Sequence, residues 1–78
     1  TGVQTCALPI SELVDAVSSY DKAVELYPGM GDAYYNRGLV LVFLKDREKG
    51  CIDLSRAGEL GVAEAYRVIS KYCKDEQD

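Results

Sequence analysis

Ala16, Val17, Tyr20, Ala23, Leu26 and Pro28 return 34 positions later as Gly50, Cys51, Leu54, Ala57, Leu60 and Val62. Small residues return as small and bulky ones as bulky, apart from the exchange at Val17. A fixed period of this length is the signature of stacked helical units, each too small to bury its apolar face alone. It constrains the chain to a surface-building architecture in which every unit is covered by its neighbours. The chain has only 78 residues, so it holds one domain at most. A chain this small buries only about 60% of its unfolded surface, so close helix packing has to supply its stability.

The period is matched by helical spacing. Leu13, Val17, Tyr20, Val24 and Tyr27 recur at the interval of a first helix over about 11–27, with Ser11 as its N-cap. Pro28 and Gly29 stop it, and Gly31 extends the turn. Asp32 or its neighbour opens a second helix over about 32–44, with Tyr34, Leu41 and Leu44 as its stripe and Gly38 admitting a close neighbour. The polar run 45–49 is a turn, with Asp46 capping a third helix over about 47–60 that carries Cys51, Leu54, Ala57 and Leu60. Gly61 fits a left-handed C-terminal position. A fourth helix follows over about 63–73 with Ala65, Tyr66, Ile69 and Cys73 on one side, and the tail 75–78 frays. No stretch alternates with period two, so the expected class is all-α, without a sheet.

Residues 34–62 follow a known pattern: Tyr34, Arg37, Gly38 and Leu41, then Gly50, Leu54 and Ala57, then Val62. Ala16, Tyr20, Ala23 and Pro28 form the second half of an earlier unit, and Tyr66, Ile69, Ser70 and Cys73 the first half of a later one. On these residues, over 12 to about 74, the chain resembles tetratricopeptide repeat proteins, with Sel1-like repeats as near kin. The resemblance implies antiparallel helix-turn-helix repeats of an α-solenoid, one full repeat flanked by two halves, from a bacterial source. Two departures stand out. Arg37 takes an apolar position, which predicts a packed stem and a solvated head. Tyr34 to Tyr66 is 32 residues, so the last inter-repeat loop is two residues short. Tyr20, Tyr34, Leu54 and Tyr66 are expected to fill the gaps between helices.

Residues 1–10 differ in kind, because all 9 basic and 13 acidic residues come after them. The string TGVQTCALPI resembles the translation of a short-read sequencing adapter over its whole length. That resemblance implies a non-native segment with the natural upstream sequence missing, and a repeat domain over 11–74.

The inner face of each first helix contacts extended peptides in tetratricopeptide proteins. The resemblance therefore implies a groove of Tyr35, Asn36, Leu39, Val42 and Phe43, joined by Arg67 and Lys71, with Glu64 and Val68 beside them. Leu39, Val42 and Phe43 would equally suit contact with a preceding helix of a longer array. Glu64 and Val68 stand where chaperone-tail clamps carry basic residues, which excludes that ligand class. The implied function is a protein–protein interaction module that binds a peptide or partner domain on its concave face. The alternatives are a regulatory repeat arm of a larger enzyme or sensor, and a structural array whose ends self-associate.

Chemistry is not expected of this chain. It has no histidine, which excludes Ser-His-Asp and Cys-His arrangements within it. Its three cysteines, Cys6, Cys51 and Cys73, form no CxxC pair and give too few ligands for a structural zinc. They read as small buried thiols in a reducing compartment, which favours the cytoplasm. No cofactor is expected. The net charge of −4 and the lack of a basic cluster argue against nucleic acid. The longest apolar run, Leu39 to Leu44, is too short to span a bilayer.

Overall fold

A computed structural model describes residues 9–73. The adapter-like segment up to residue 8, Cys6 within it, and the tail from residue 74 lie outside the described residues. The described chain is all-helical, with no strand. It comprises α1 (Ile10–Leu26), α2 (Gly31–Phe43), α3 (Arg47–Glu59) and α4 (Glu64–Val68), the last continued by a π-turn (Ile69–Cys73). No helix among the described residues is long and apolar enough to cross a membrane.

The helix starts differ from expectation. Ser11 does not cap α1. Pro9 holds that position with φ −67°, and its carbonyl accepts from Glu12 N at 3.0 Å and Leu13 N at 3.2 Å. The ring fixes the backbone without help from a side chain, so Ser11 falls inside the first turn. Asp46 does precede α3, but its side chain makes no cap bond; its carbonyl accepts from Gly50 N at 3.0 Å. Among the described residues, two reverse the chain with positive φ. Gly61 does so as expected, at 105°, and Lys45 does so at 69° without glycine's freedom. The fourth helix is α-helical only to Val68 before it widens.

α2 and α3 form the centre. They cross where Gly38 meets Gly50. A Cβ on Gly38 would stand 2.9 Å from the Gly50 carbonyl and 2.8 Å from Leu54 Cγ. A Cβ on Gly50 would stand 2.8 Å from the Gly38 carbonyl and from Val42 Cγ2. Only glycine at both positions lets the backbones approach this far. Beside the crossing Leu54, Ala57 and Ala65 are fully buried, and Tyr34, Tyr35, Leu39, Val42, Val62, Val68 and Ile69 pack partly against them. Of the four gap-filling residues expected, only Leu54 is fully buried. Tyr66 is 56% exposed, because its ring lies across Gly58 instead of entering the core. Tyr27 is likewise exposed, since α1 ends before it.

Arg37 does not send its head to solvent. Its Nε and Nη2 donate to the two carboxylate oxygens of Asp53 at 2.7 and 2.8 Å, and its Nη1 donates to Asp21 at 2.8 Å. Asp21 and Asp53 each lie 16 residues from Arg37, one on α1 and one on α3, so one guanidinium ties three helices together. Asp53 is only 7% exposed and needs this partner. The hydrogen bond to Asp53, opposed by burial and aided by Asp21, pushes the Arg37 pKa further above its already high value. The cation therefore persists at any accessible pH.

Two stability effects follow. Gly38→Ala should lower stability by about 1–3 kcal/mol despite alanine's better helix propensity, since backbone atoms cannot yield. Gly29→Ala, where nothing lies within 4 Å, is the control. Urea unfolding measures both, and equal midpoints for the two variants would contradict the crossing. Asp53→Ala strands the Arg37 guanidinium and should cost about 3 kcal/mol, at the low end for a buried pair because Arg37 keeps some solvent contact. Asp53→Ala combined with Arg37→Leu should recover part of that loss by the same assay.

A candidate peptide groove closed by a disulfide

A cavity of about 1110 Å³ is an open groove between the C-terminal end of α2, the start of α3 and the final π-turn. Leu39, Val42 and Phe43 give it an apolar wall from α2, and Tyr72 faces them from the π-turn. Phe43 is 72% exposed and Tyr72 44% exposed, so two large rings stand in solvent at its mouth. The rim is charged, with Lys45, Arg47 and Lys71 set against Asp46 and Glu48. The Lys71 ammonium lies 5.8 Å from the Tyr72 ring centre, within cation–π range.

The groove exists because of local backbone choices. The positive φ at Lys45 turns the chain within three residues, which holds the ends of α2 and α3 together. The Asp46 N–H donates to the Leu41 carbonyl and the Lys45 N–H to the Val42 carbonyl, at 2.9 and 3.0 Å, closing the end of α2. The far wall is held by a covalent bond. Cys51 on the first turns of α3 is disulfide-bonded to Cys73 at the end of the π-turn, with Cα atoms 5.8 Å apart. The expectation of free buried thiols is thereby corrected for this pair, and the inference of a reducing compartment loses its support. Spacing could not have shown the bond. It depends on the packing of α4 and its π-turn against α3, which brings together residues 22 apart.

Four of the seven residues proposed from sequence, Leu39, Val42, Phe43 and Lys71, line this one groove. Tyr35, Asn36 and Arg67 do not line it. Tyr35 packs partly against the Leu54 cluster, Asn36 is half-buried on α2, and Arg67 is exposed on α4. Leu39 and Val42 also pack against that cluster, so their inner faces are taken by α3 and α4. Sequence reasoning missed Tyr72, the disulfide and the Lys45 to Glu48 rim. Tyr72 adjoins Cys73 in a segment read as ordinary helix, and the rim was read only as a polar turn. Among the described residues no cluster of three or more potential metal ligands forms.

Reduction of the disulfide should lower stability by about 3 kcal/mol, because it frees a 22-residue loop in the unfolded chain. Thermal unfolding with and without reductant measures this. A Cys51→Ser/Cys73→Ser variant that melts with the oxidised protein would contradict the staple. No protein-family model, curated protein or solved structure matches the chain.

Proposed function

We propose that the chain is a protein-interaction module of the tetratricopeptide type, binding an extended peptide or a partner's extended segment in the groove beside the disulfide. One observation carries this reading: Leu39, Val42, Phe43 and Lys71, singled out by position in the sequence, converge on a single open groove. Exposed aromatic rings are costly to leave in water and are typical anchors of binding energy. Phe43 and Tyr72 can take an apolar side chain between them. Lys45 and Lys71 on the rim suit a carboxylate of the same peptide, which sets orientation and register. The preferred ligand is therefore an apolar residue flanked by Asp or Glu. Asp46 and Glu48 stand in a rim that also carries Lys45, Arg47 and Lys71, an arrangement that suits charge-matched binding of a peptide.

A library of displayed random peptides, selected on the oxidised protein, tests this. The expected winners carry an apolar residue next to an acidic one, and a labelled winner should bind about tenfold more weakly to Phe43→Ala. Amide shift changes in a titration should centre on Val42, Phe43 and Lys71. No selectable binder, or shifts centred on α1, would overturn the proposal.

A further inference from the structure

The π-turn is attached unevenly to the rest of the fold. Ala65 is fully buried, and Val68 and Ile69 pack partly against the Leu54 cluster, so α4 sits on α3 up to that point. Ser70, Lys71 and Tyr72 are then all exposed, and the chain returns to the body at Cys73, which is half-buried and bonded to Cys51. A π-turn is a rare backbone form, found frequently at functional sites. Here the bond at its last residue ties it to α3, directly beside Tyr72.

The body of the fold is held by other means. α2 and α3 meet at Gly38 and Gly50, and Arg37 ties both to α1 through Asp53 and Asp21. Leu39 and Val42 are held against the Leu54 cluster, so the α2 wall of the groove is fixed by packing. The opposite wall, with Lys71 and Tyr72, is fixed through the disulfide. Both cysteines line the groove, so a reductant meets the bond through the open groove, and a peptide seated there lies over it.

We infer that the Cys51–Cys73 disulfide is a redox switch for the groove: reduction by a dithiol frees residues 70–73 and removes the wall that carries Lys71 and Tyr72. A thiolate of the dithiol attacks one sulfur of the bridge. The protein S–S bond breaks as a mixed disulfide forms, and the displaced sulfur takes up a proton. The second thiolate of the dithiol then breaks the mixed disulfide, so Cys51 and Cys73 end as thiols and the dithiol as a disulfide. Two electrons and two protons pass to the protein. Control of binding rests on the groove being a peptide site, as proposed above; the opening of the wall does not. By linkage, a peptide that binds the oxidised form more tightly makes the bond harder to reduce by the same factor.

Nuclear magnetic resonance of the Cys6→Ser protein, before and after dithiothreitol, tests the inference in two ways. The first needs no peptide. The amide heteronuclear Overhauser effect at Lys71 and Tyr72 should match that of α3 in the oxidised protein and fall towards zero in the reduced one. The α-proton cross-peak from Gly38 to Gly50 should persist in both. The second uses the capped pentapeptide Glu-Asp-Phe-Asp-Glu, followed by amide shifts at Val42 and Phe43. Its affinity should fall about tenfold on reduction, and Tyr72→Ala in the oxidised protein should reproduce that fall. With this peptide saturating, the ratio of reduced to oxidised dithiothreitol at half-reduction should rise about tenfold. Unchanged relaxation at Lys71 and Tyr72 after reduction would overturn the switch, and so would loss of the Gly38 to Gly50 cross-peak, since the whole fold would then have opened. Equal affinity of the two forms would overturn it while leaving the groove as a peptide site. A pentapeptide that does not bind the oxidised protein would overturn control of binding together with that site, even where the wall opens on reduction.

Discussion

The contact on which the rest of this molecule depends is the approach of two backbones at Gly38 and Gly50. Each glycine occupies space that a Cβ of the other would need, within 3 Å of a carbonyl oxygen. That proximity brings Leu54 under α2, where it is fully buried, and sets Asp53 within reach of Arg37. In so small a chain few large side chains are buried, so contact between main chains does what a thick apolar core does in larger domains. The Arg37 bridge then adds direction. A planar guanidinium that grips Asp53 with two bonds and Asp21 with a third fixes how α1 and α3 lie against α2, which apolar contact alone leaves free to slide.

The groove is a consequence of the same crossing. With α2 and α3 held at their crossing, the left-handed turn at Lys45 joins the end of α2 to the start of α3, and the space beside that junction is the groove. The disulfide ties the last turn of the chain to the start of α3, so Tyr72 and Lys71 are carried to the groove's far wall. The groove thus rests on three different constraints: a backbone crossing, a positive-φ turn and a covalent bond. The outer face of α1 has none of these and remains half-open.

Much of this was legible in the sequence. The period and the helical spacing located four helices to within one or two residues at most of their ends, because small and bulky residues alternate as packing demands. The role of Gly38 in a close approach was also legible, since a lone glycine inside a helix has few other uses. What failed was long-range pairing. Nothing local marks Asp53 as the partner of Arg37, so the arginine read as a solvent-seeking exception. Nothing local marks Cys51 and Cys73 as neighbours, so they read as separate thiols. Of the groove lining, Leu39, Val42, Phe43 and Lys71 are residues that the sequence reading singled out by position along the 34-residue period, while Tyr35, Asn36 and Arg67 lie outside it. The wall that the π-turn supplies was missed, because an α-helical register does not foretell where Tyr72 points.

The central claim is that the chain is organised by direct backbone contact between α2 and α3. A nuclear Overhauser spectrum of the oxidised protein tests it most directly. The account predicts strong cross-peaks from the Gly38 α-protons to those of Gly50 and to the Leu54 methyls, together with a peak from Gly50 to a Val42 methyl. A folded, well-dispersed spectrum in which Gly38 shows only intrahelical neighbours would contradict it.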